Sequence, residues 1–148
     1  MLKNRIIALW ERYNQFIRFM IVGASNTIIS YLIYIAVLVI LRSYEVKWDY
    51  IAGNIIAFLL SVLWSFIWNH LFVFKKQAGQ QRNLWTALLK TYLSYGFSEF
   101  VLNNLLSVLW VEIIGVNKYI APIINLVITV PLNYIMNKFW AFKTKEKR

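Results

Sequence analysis

Apolar residues fill four long stretches of this chain, roughly residues 16–41, 50–74, 85–111 and 118–142. Each exceeds the about 20 residues that a helix needs to cross a bilayer. None keeps the strict alternation of a barrel strand, and a spanning segment must satisfy its backbone groups internally. The pattern predicts an all-α membrane protein with four transmembrane helices in one domain, residues 1–148. Ahead of the first stretch, Leu2, Ile6, Leu9, Trp10 and Tyr13 recur near helical spacing while Arg5, Glu11 and Arg12 fall elsewhere. Residues 1–15 therefore read as an amphipathic helix lying along the membrane interface. The first apolar run is too long for a signal-peptide core and lacks a small-residue cleavage pattern, so it is expected to persist in the mature chain.

The polar connection at residues 75–84, rich in Lys, Gln and Gly, separates two helical hairpins, 16–74 and 85–143. The hairpins look like copies. Asn69-His-Leu-Phe-Val-Phe74-Lys75 ends the first and Asn137-Lys-Phe-Trp-Ala-Phe142-Lys143 ends the second, 68 positions later. The same offset sets Ser61 over Thr129 and Ser65 over Asn133. A looser match at a different offset sets Phe19 and Gly23 over Tyr92 and Gly96, so the repeat has diverged and includes an insertion.

Charge supplies the orientation. Lys3, Arg5, Arg12 and Arg18 precede or open the first span; Lys75, Lys76, Arg82 and Lys90 surround the central connection; Lys143, Lys145, Lys147 and Arg148 follow the last. The other two connections hold only Arg42, Lys47 and Lys118. By the positive-inside rule, both termini and the central loop are cytoplasmic. Each copy then runs out and back in the same sense, which predicts parallel repeats about an axis along the membrane normal. Pro122 and Pro131 occur only in the second copy, where they are expected to loosen the fourth helix.

A hydrophobic share of 60% among 148 residues leaves no room for a water-soluble exterior. The net charge of +10 flanks apolar spans and forms no nucleic-acid motif, so nucleic acid is not an expected partner. With no cysteine there are no disulfides and no thiolate metal sites.

Polar residues inside the spans are the candidate chemistry. Asn125, Thr129, Asn133 and Asn137 follow one another at intervals of four on the fourth helix, and Ser61, Ser65 and Asn69 do so on the second. Tyr95, Glu99 and Asn103 repeat the spacing on the third, while Ser25, Asn26 and Ser30 lie on the first. Two readings stand: interhelical hydrogen bonds worth about 0.6 kcal/mol each, or a polar path formed by Asn26, Asn69, Glu99, Asn125, Asn133 and Asn137. Glu99 requires compensation, by Arg18, by Lys90 or by protonation, and serves either as a structural ion pair or in coupling. Trp64, Trp68, Phe72, Phe74, Tyr134, Trp140 and Phe142 crowd the cytoplasmic ends as an aromatic belt. Of these, Phe74, Trp140 and Phe142 are candidates to contact a sugar or lipid, because sugars offer C–H faces to rings and hydroxyls to amides.

Enzyme signatures are missing. There is no phosphate-cradling Gly-rich loop, no nucleophile elbow, one histidine (His70) and only six carboxylates. A non-enzyme without metal or cofactor is expected.

Taken together, Arg18-Phe-Met-Ile-Val-Gly23, Asn69 through Phe74, Pro131-Leu-Asn133 and Asn137 through Phe142 resemble the GtrA-like family, over nearly the whole chain. The resemblance implies a small multi-pass protein of the bacterial cytoplasmic membrane. Such proteins flip a polyprenyl-phosphate-linked monosaccharide, for example on undecaprenyl phosphate, so that extracellular transferases can glycosylate a surface polysaccharide such as teichoic acid or O-antigen. The family phrase usually has Arg after the asparagine, where this chain has His70 and Lys138. Since histidine is ordinarily neutral at pH 7, a phosphate role favours Lys138. On this reading Arg18, Lys90 and Lys138 receive the phosphate at the cytoplasmic side and Lys118 receives it outside. Transport would follow the substrate gradient, exchange against returning carrier phosphate, or proton coupling through Glu99.

A second reading is a non-catalytic subunit that anchors or stabilises a polyprenyl-phosphate glycosyltransferase. A small multidrug exporter also has four helices and a membrane glutamate, but Glu99 lies in the third helix and the asparagine phrases argue against it. Four short helices leave room for a homo-oligomer, and neither the sugar nor the polymer can be read from the residues.

Overall fold

The computed structural model describes residues 2–44, 49–77, 80–117 and 120–146. It is all-α apart from one two-stranded clip, and the chain forms two units, Met1–Lys75 and Lys76–Arg148.

In the first unit α1 (Leu2–Arg42) packs along α2 (Asp49–Trp68), which continues into a π-helical turn at Asn69–Val73. The segment expected as a separate surface helix, residues 1–15, joins α1 without a break from Leu2 onward. Small residues let the helices approach: a Cβ added at Gly53 would lie 2.9 Å from Cδ2 of Tyr34. Phe19 and Val22 of α1 are buried, as are Ala57, Ser61, Val62, Ser65, Phe66 and Asn69 across the seam.

In the second unit β1 (Gln80–Gln81) pairs antiparallel with β2 (Lys145–Glu146), clipping the central loop to the tail. The Asn83 side chain accepts from the Thr86 N–H at 3.1 Å and opens α3 (Leu84–Gly96). A π segment at Phe97–Leu102, then α4 (Asn103–Val108), then a second π segment at Leu109–Ile113 carry the helical path onward. Gly115, at φ 78°, ends it, while the Val116 N–H reaches Trp110 O at 2.8 Å in the long bond of a Schellman-type cap. The returning helix is α5 (Ala121–Met136), followed by a π turn at Asn137–Ala141. Pro122 falls in the first turn, where its missing N–H costs nothing, and α5 runs unbroken through Pro131; the expected loosening is not seen in its backbone assignment.

The outside of each unit is apolar and the seams are polar. Ile28, Tyr31, Leu32 and Val39 are exposed on α1, Leu59, Leu60 and Leu63 on α2, and Ile123, Leu126 and Val127 on α5, whereas Ser61, Ser65, Asn69, Thr91, Ser94, Asn125 and Asn137 are buried. This inversion is stable in lipid and would be costly in water. Two described helical stretches, Leu9–Arg42 and Ile51–Val73, are long and apolar enough to cross a membrane.

Candidate functional site

Each unit finishes its returning helix in the same way. A π turn holds one residue more than an α-turn and closes i to i+5. The Phe74 N–H donates to Asn69 O at 2.7 Å, and the Phe142 N–H donates to Asn137 O at 2.7 Å. The wider turn keeps the chain on the buried side for two further residues, so Val73 and Phe74 are buried, as are Ala141 and Phe142. Buried positions recur at the 68-residue offset at four places on the seam, Gly53 and Ala121, Ala57 and Asn125, Ser61 and Thr129, and Asn69 and Asn137, while Asn133 is half-buried where Ser65 is buried.

The two asparagines have no exposed surface. Asn69 Nδ2 donates to Ser65 Oγ at 3.1 Å, and Asn137 Nδ2 donates to Asn133 O at 2.8 Å. Thr91 Oγ1 lies 3.5 Å from Asn137 Oδ1 but 2.9 Å from Ala87 O, so its single proton favours the backbone carbonyl. Ser98 Oγ donates to Asn133 Oδ1 at 2.7 Å and joins the first π segment of the second unit to α5. Further along that seam Asn125 Nδ2 contacts Asn103 O at 3.1 Å, Asn103 Oδ1, and Ser107 Oγ at 2.9 Å. Asn26 is half-buried on α1, and its Oδ1 is buried without a partner.

Cations gather on the carbonyls that the π turns leave open. Arg18 Nη1 points at Phe72 O at 3.5 Å, while Gln15 Nε2 donates to Val73 O at 3.0 Å. In the second unit Lys90 Nζ lies 3.4 Å from Trp140 O and 5.4 Å from the centre of its ring. Phe72 and Trp140 are themselves 68 positions apart, so a cation on the outgoing helix of each unit meets the same carbonyl. Lys138 Nζ bonds the Tyr134 hydroxyl at 3.1 Å and faces the rings of Tyr134 and Phe139. The Arg82 guanidinium lies 5.0 Å over Phe142, and burial lowers its pKa from the ordinary value.

Some expectations are redirected. Phe74 and Phe142, expected to touch sugar or lipid, are buried within their own units, Phe74 facing Phe19 at 6.2 Å, because the π turn carries them inward. Trp140 stays 40% exposed. Of the compensations offered for Glu99, pairing with Arg18 or Lys90 is not made: Arg18 points at Phe72 O, Lys90 turns to Trp140, and the Glu99 carboxylate is exposed with no hydrogen bond or ion pair among the described residues. Lys118 lies outside the described residues. Sequence reasoning missed Gln15, Ser98, Ser107 and Trp110; the four-residue step from Asn103 to Ser107 was the available signal for one of them. Among the described residues no group of three or more His, Asp or Glu could hold a metal.

An apolar exterior, polar groups buried in the seams and a cation at the mouth of each seam define a membrane protein. Residues 18–142 match the family described as GtrA/DPMS, transmembrane domain, and the chain belongs to that family. The cell wall teichoic acid glycosylation protein GtcA of Listeria monocytogenes serovar 1/2a is 25% identical over 136 residues, which cover 92% of this chain and 90% of that protein. A second Listeria monocytogenes GtcA is 28% identical over 148 residues, covering 98% and 96%. The uncharacterized membrane protein YwcD of Bacillus subtilis (strain 168) is 29% identical over 100 residues, covering 67% of this chain and 78% of its own. No solved structure matches.

Proposed function

We propose that this protein serves glycosylation of a bacterial cell-wall polymer by moving a polyprenyl-phosphate-linked monosaccharide across the cytoplasmic membrane. The observation that carries the proposal is the paired mouth: Arg18 beside Phe72 O and Lys90 beside Trp140 O, each at the end of a buried row of hydroxyls and amides. These contacts are long, and a phosphate oxygen is a stronger acceptor for a cation than a peptide carbonyl. A lipid phosphate at either mouth would draw that unit's cation off the backbone, with Lys138 adding a second charge in the second unit. The polyprenyl chain stays against the apolar exterior, so only phosphate and sugar need a polar route. Asn69, Asn133 and Asn137 bond the headgroup in transit once the seam opens, Asn26 and Asn125 extend that route, and Lys118 takes the phosphate at the far side. Trp140, the exposed ring of the phrase, supplies the contact with sugar or lipid.

Four spanning segments in two parallel hairpins, with both termini and the central loop cytoplasmic, are part of this reading. α1 alone, at about 1.5 Å per residue, is about twice the length of the hydrocarbon core. Its first turns therefore emerge at the cytoplasmic interface. The protein supplies no chemistry of its own; an extracellular transferase uses the delivered sugar.

Reconstitution tests the proposal. Proteoliposomes loaded with a fluorescent short-prenyl phosphate sugar should exchange it between leaflets faster than protein-free vesicles, and Arg18→Gln with Lys90→Gln should remove most of the gain. Equal rates with and without protein would reject translocation and favour the alternative, a subunit that stabilises the lipid-linked sugar synthase.

A further inference from the structure

Among the described residues of the second unit, two buried side-chain atoms on facing helices lack a hydrogen-bond partner, one an acceptor and one a donor. Asn125 is 1% exposed, and its amide nitrogen faces three acceptors on α4 although it has only two protons. Its Oδ1 is buried and accepts nothing from the described residues. Trp110 is half-buried, and its Nε1–H is buried and donates to none of the described residues. Asn103, Ser107 and Trp110 are spaced four and then three residues apart, which sets them on one face of the outgoing helix, the face that Asn125 meets from α5. Trp110 lies inside the second π segment, where the extra residue re-aims side chains, and its own carbonyl is occupied by Val116.

An empty acceptor and an empty donor on facing helices call for a group that both donates and accepts. A hydroxyl has both capacities, a proton for Asn125 Oδ1 and a lone pair for the Trp110 N–H. A phosphate offers no donor in its ionised form, and an ammonium offers no acceptor. Asn125 lies about 18 Å along the helix from Asn137, so this position is separate from the cations at the other end of the seam. The half-buried indole adds a flat apolar face of the kind that sugar C–H groups cover.

We propose that Asn125 and Trp110, supported by Asn103 and Ser107, form a hydroxyl-binding site at the end of the second unit remote from Lys90 and Lys138, and that the site takes a sugar hydroxyl of the transported headgroup. The assignment of the hydroxyl to a sugar rests on the translocation reading; a bound water has the same hydrogen-bonding chemistry.

The test uses full-length protein in nanodiscs with 15N-labelled indoles, the Trp110 signal being assigned by its loss in Trp110→Phe. The probes are short prenyl phosphates bearing glucose, galactose or N-acetylglucosamine, set against the same prenyl phosphate without sugar. The expected result is a Trp110 shift with at least one sugar-bearing probe and none with the bare phosphate. Affinity for that probe should fall roughly tenfold in Asn125→Leu, the equivalent of one hydrogen bond lost in a dry site. Trp110→Phe keeps the ring and removes only the donor, so its affinity gives a second reading should Asn125→Leu fail to fold. If sugar-bearing probes bind and shift other indoles while Trp110 keeps an unchanged magnetisation transfer to water, the site holds a water only and the inference is overturned with translocation intact. If no sugar-bearing probe binds at all, both fall.

Discussion

At the scale of single residues, buried amides hold the helices of each hairpin together, and on the proposed reading the cations at the seam mouths meet the lipid phosphate. Ser98 and Asn133 join the first π segment of the second unit to α5 by a side-chain bond of 2.7 Å. Ser98→Ala should lower stability in mild detergent by about 0.6 kcal/mol, the usual worth of an interhelical bond in a membrane protein. Asn137→Leu removes the anchor of a fully buried turn and should cost more, about 1 to 3 kcal/mol, because a fully buried amide and its bond to Asn133 O are lost, leaving that carbonyl only the Asn137 backbone N–H. Unfolding midpoints measured side by side would order the two, and the reverse order would refute the anchoring role. Lys90 makes a different prediction. Lys90→Gln should leave the unfolding midpoint nearly unchanged while lowering polymer glycosylation severalfold, and Lys90→Arg should restore most of it. A loss of stability matching the loss of glycosylation would make Lys90 a mere cap of Trp140 O.

At the scale of elements, the π turns are the features that the sequence pattern concealed. The Asn-to-Phe phrase and its 68-residue repeat are plain in the residues, and so is the all-α, lipid-facing character of the long apolar runs. A π turn leaves no such trace, because one inserted residue within an apolar run disturbs no period that can be seen. The inward turn of Phe74 and Phe142 was therefore hidden behind the general rule that aromatics at span ends lie in the interface. Trp110 was hidden for the same reason, since an indole in an apolar span reads as lipid-facing until its N–H is found buried. One of the partners offered for Glu99, Lys90, has a competing acceptor, Trp140 O, that only the fold brings close.

Two element-level variants follow. Deleting Leu71 should convert the first π turn to an α-turn and rotate Phe74 and Lys75 by about 100°, one α-helical step. Glycosylation should be lost although the protein still inserts, and full activity would show that the turn is incidental. Gly53→Leu would drive a side chain into the Tyr34 ring, which lies at 2.9 Å even from a bare Cβ, and should destabilise the first unit by about 1 to 3 kcal/mol. Gly53→Ala requires only a ring shift and should be milder.

At the scale of the whole molecule, the account requires a protein with lipid around it, polar seams within it and its cations on the cytoplasmic side. The absence of native cysteine makes orientation directly testable with single cysteines at exposed Gln77 and Asn117. An impermeant maleimide should label Gln77→Cys only after the cytoplasmic side is opened and Asn117→Cys from outside in intact cells. Labelling of both from the same side would remove the second spanning hairpin.

The central claim is movement of a lipid-linked sugar, and its most direct test is the amount of that lipid in cells without the gene, measured together with glycosylation of the surface polymer. Translocation predicts accumulated polyprenyl-phosphate sugar and an undecorated polymer. Depleted polyprenyl-phosphate sugar with the same undecorated polymer would contradict the account and assign the protein to the synthase.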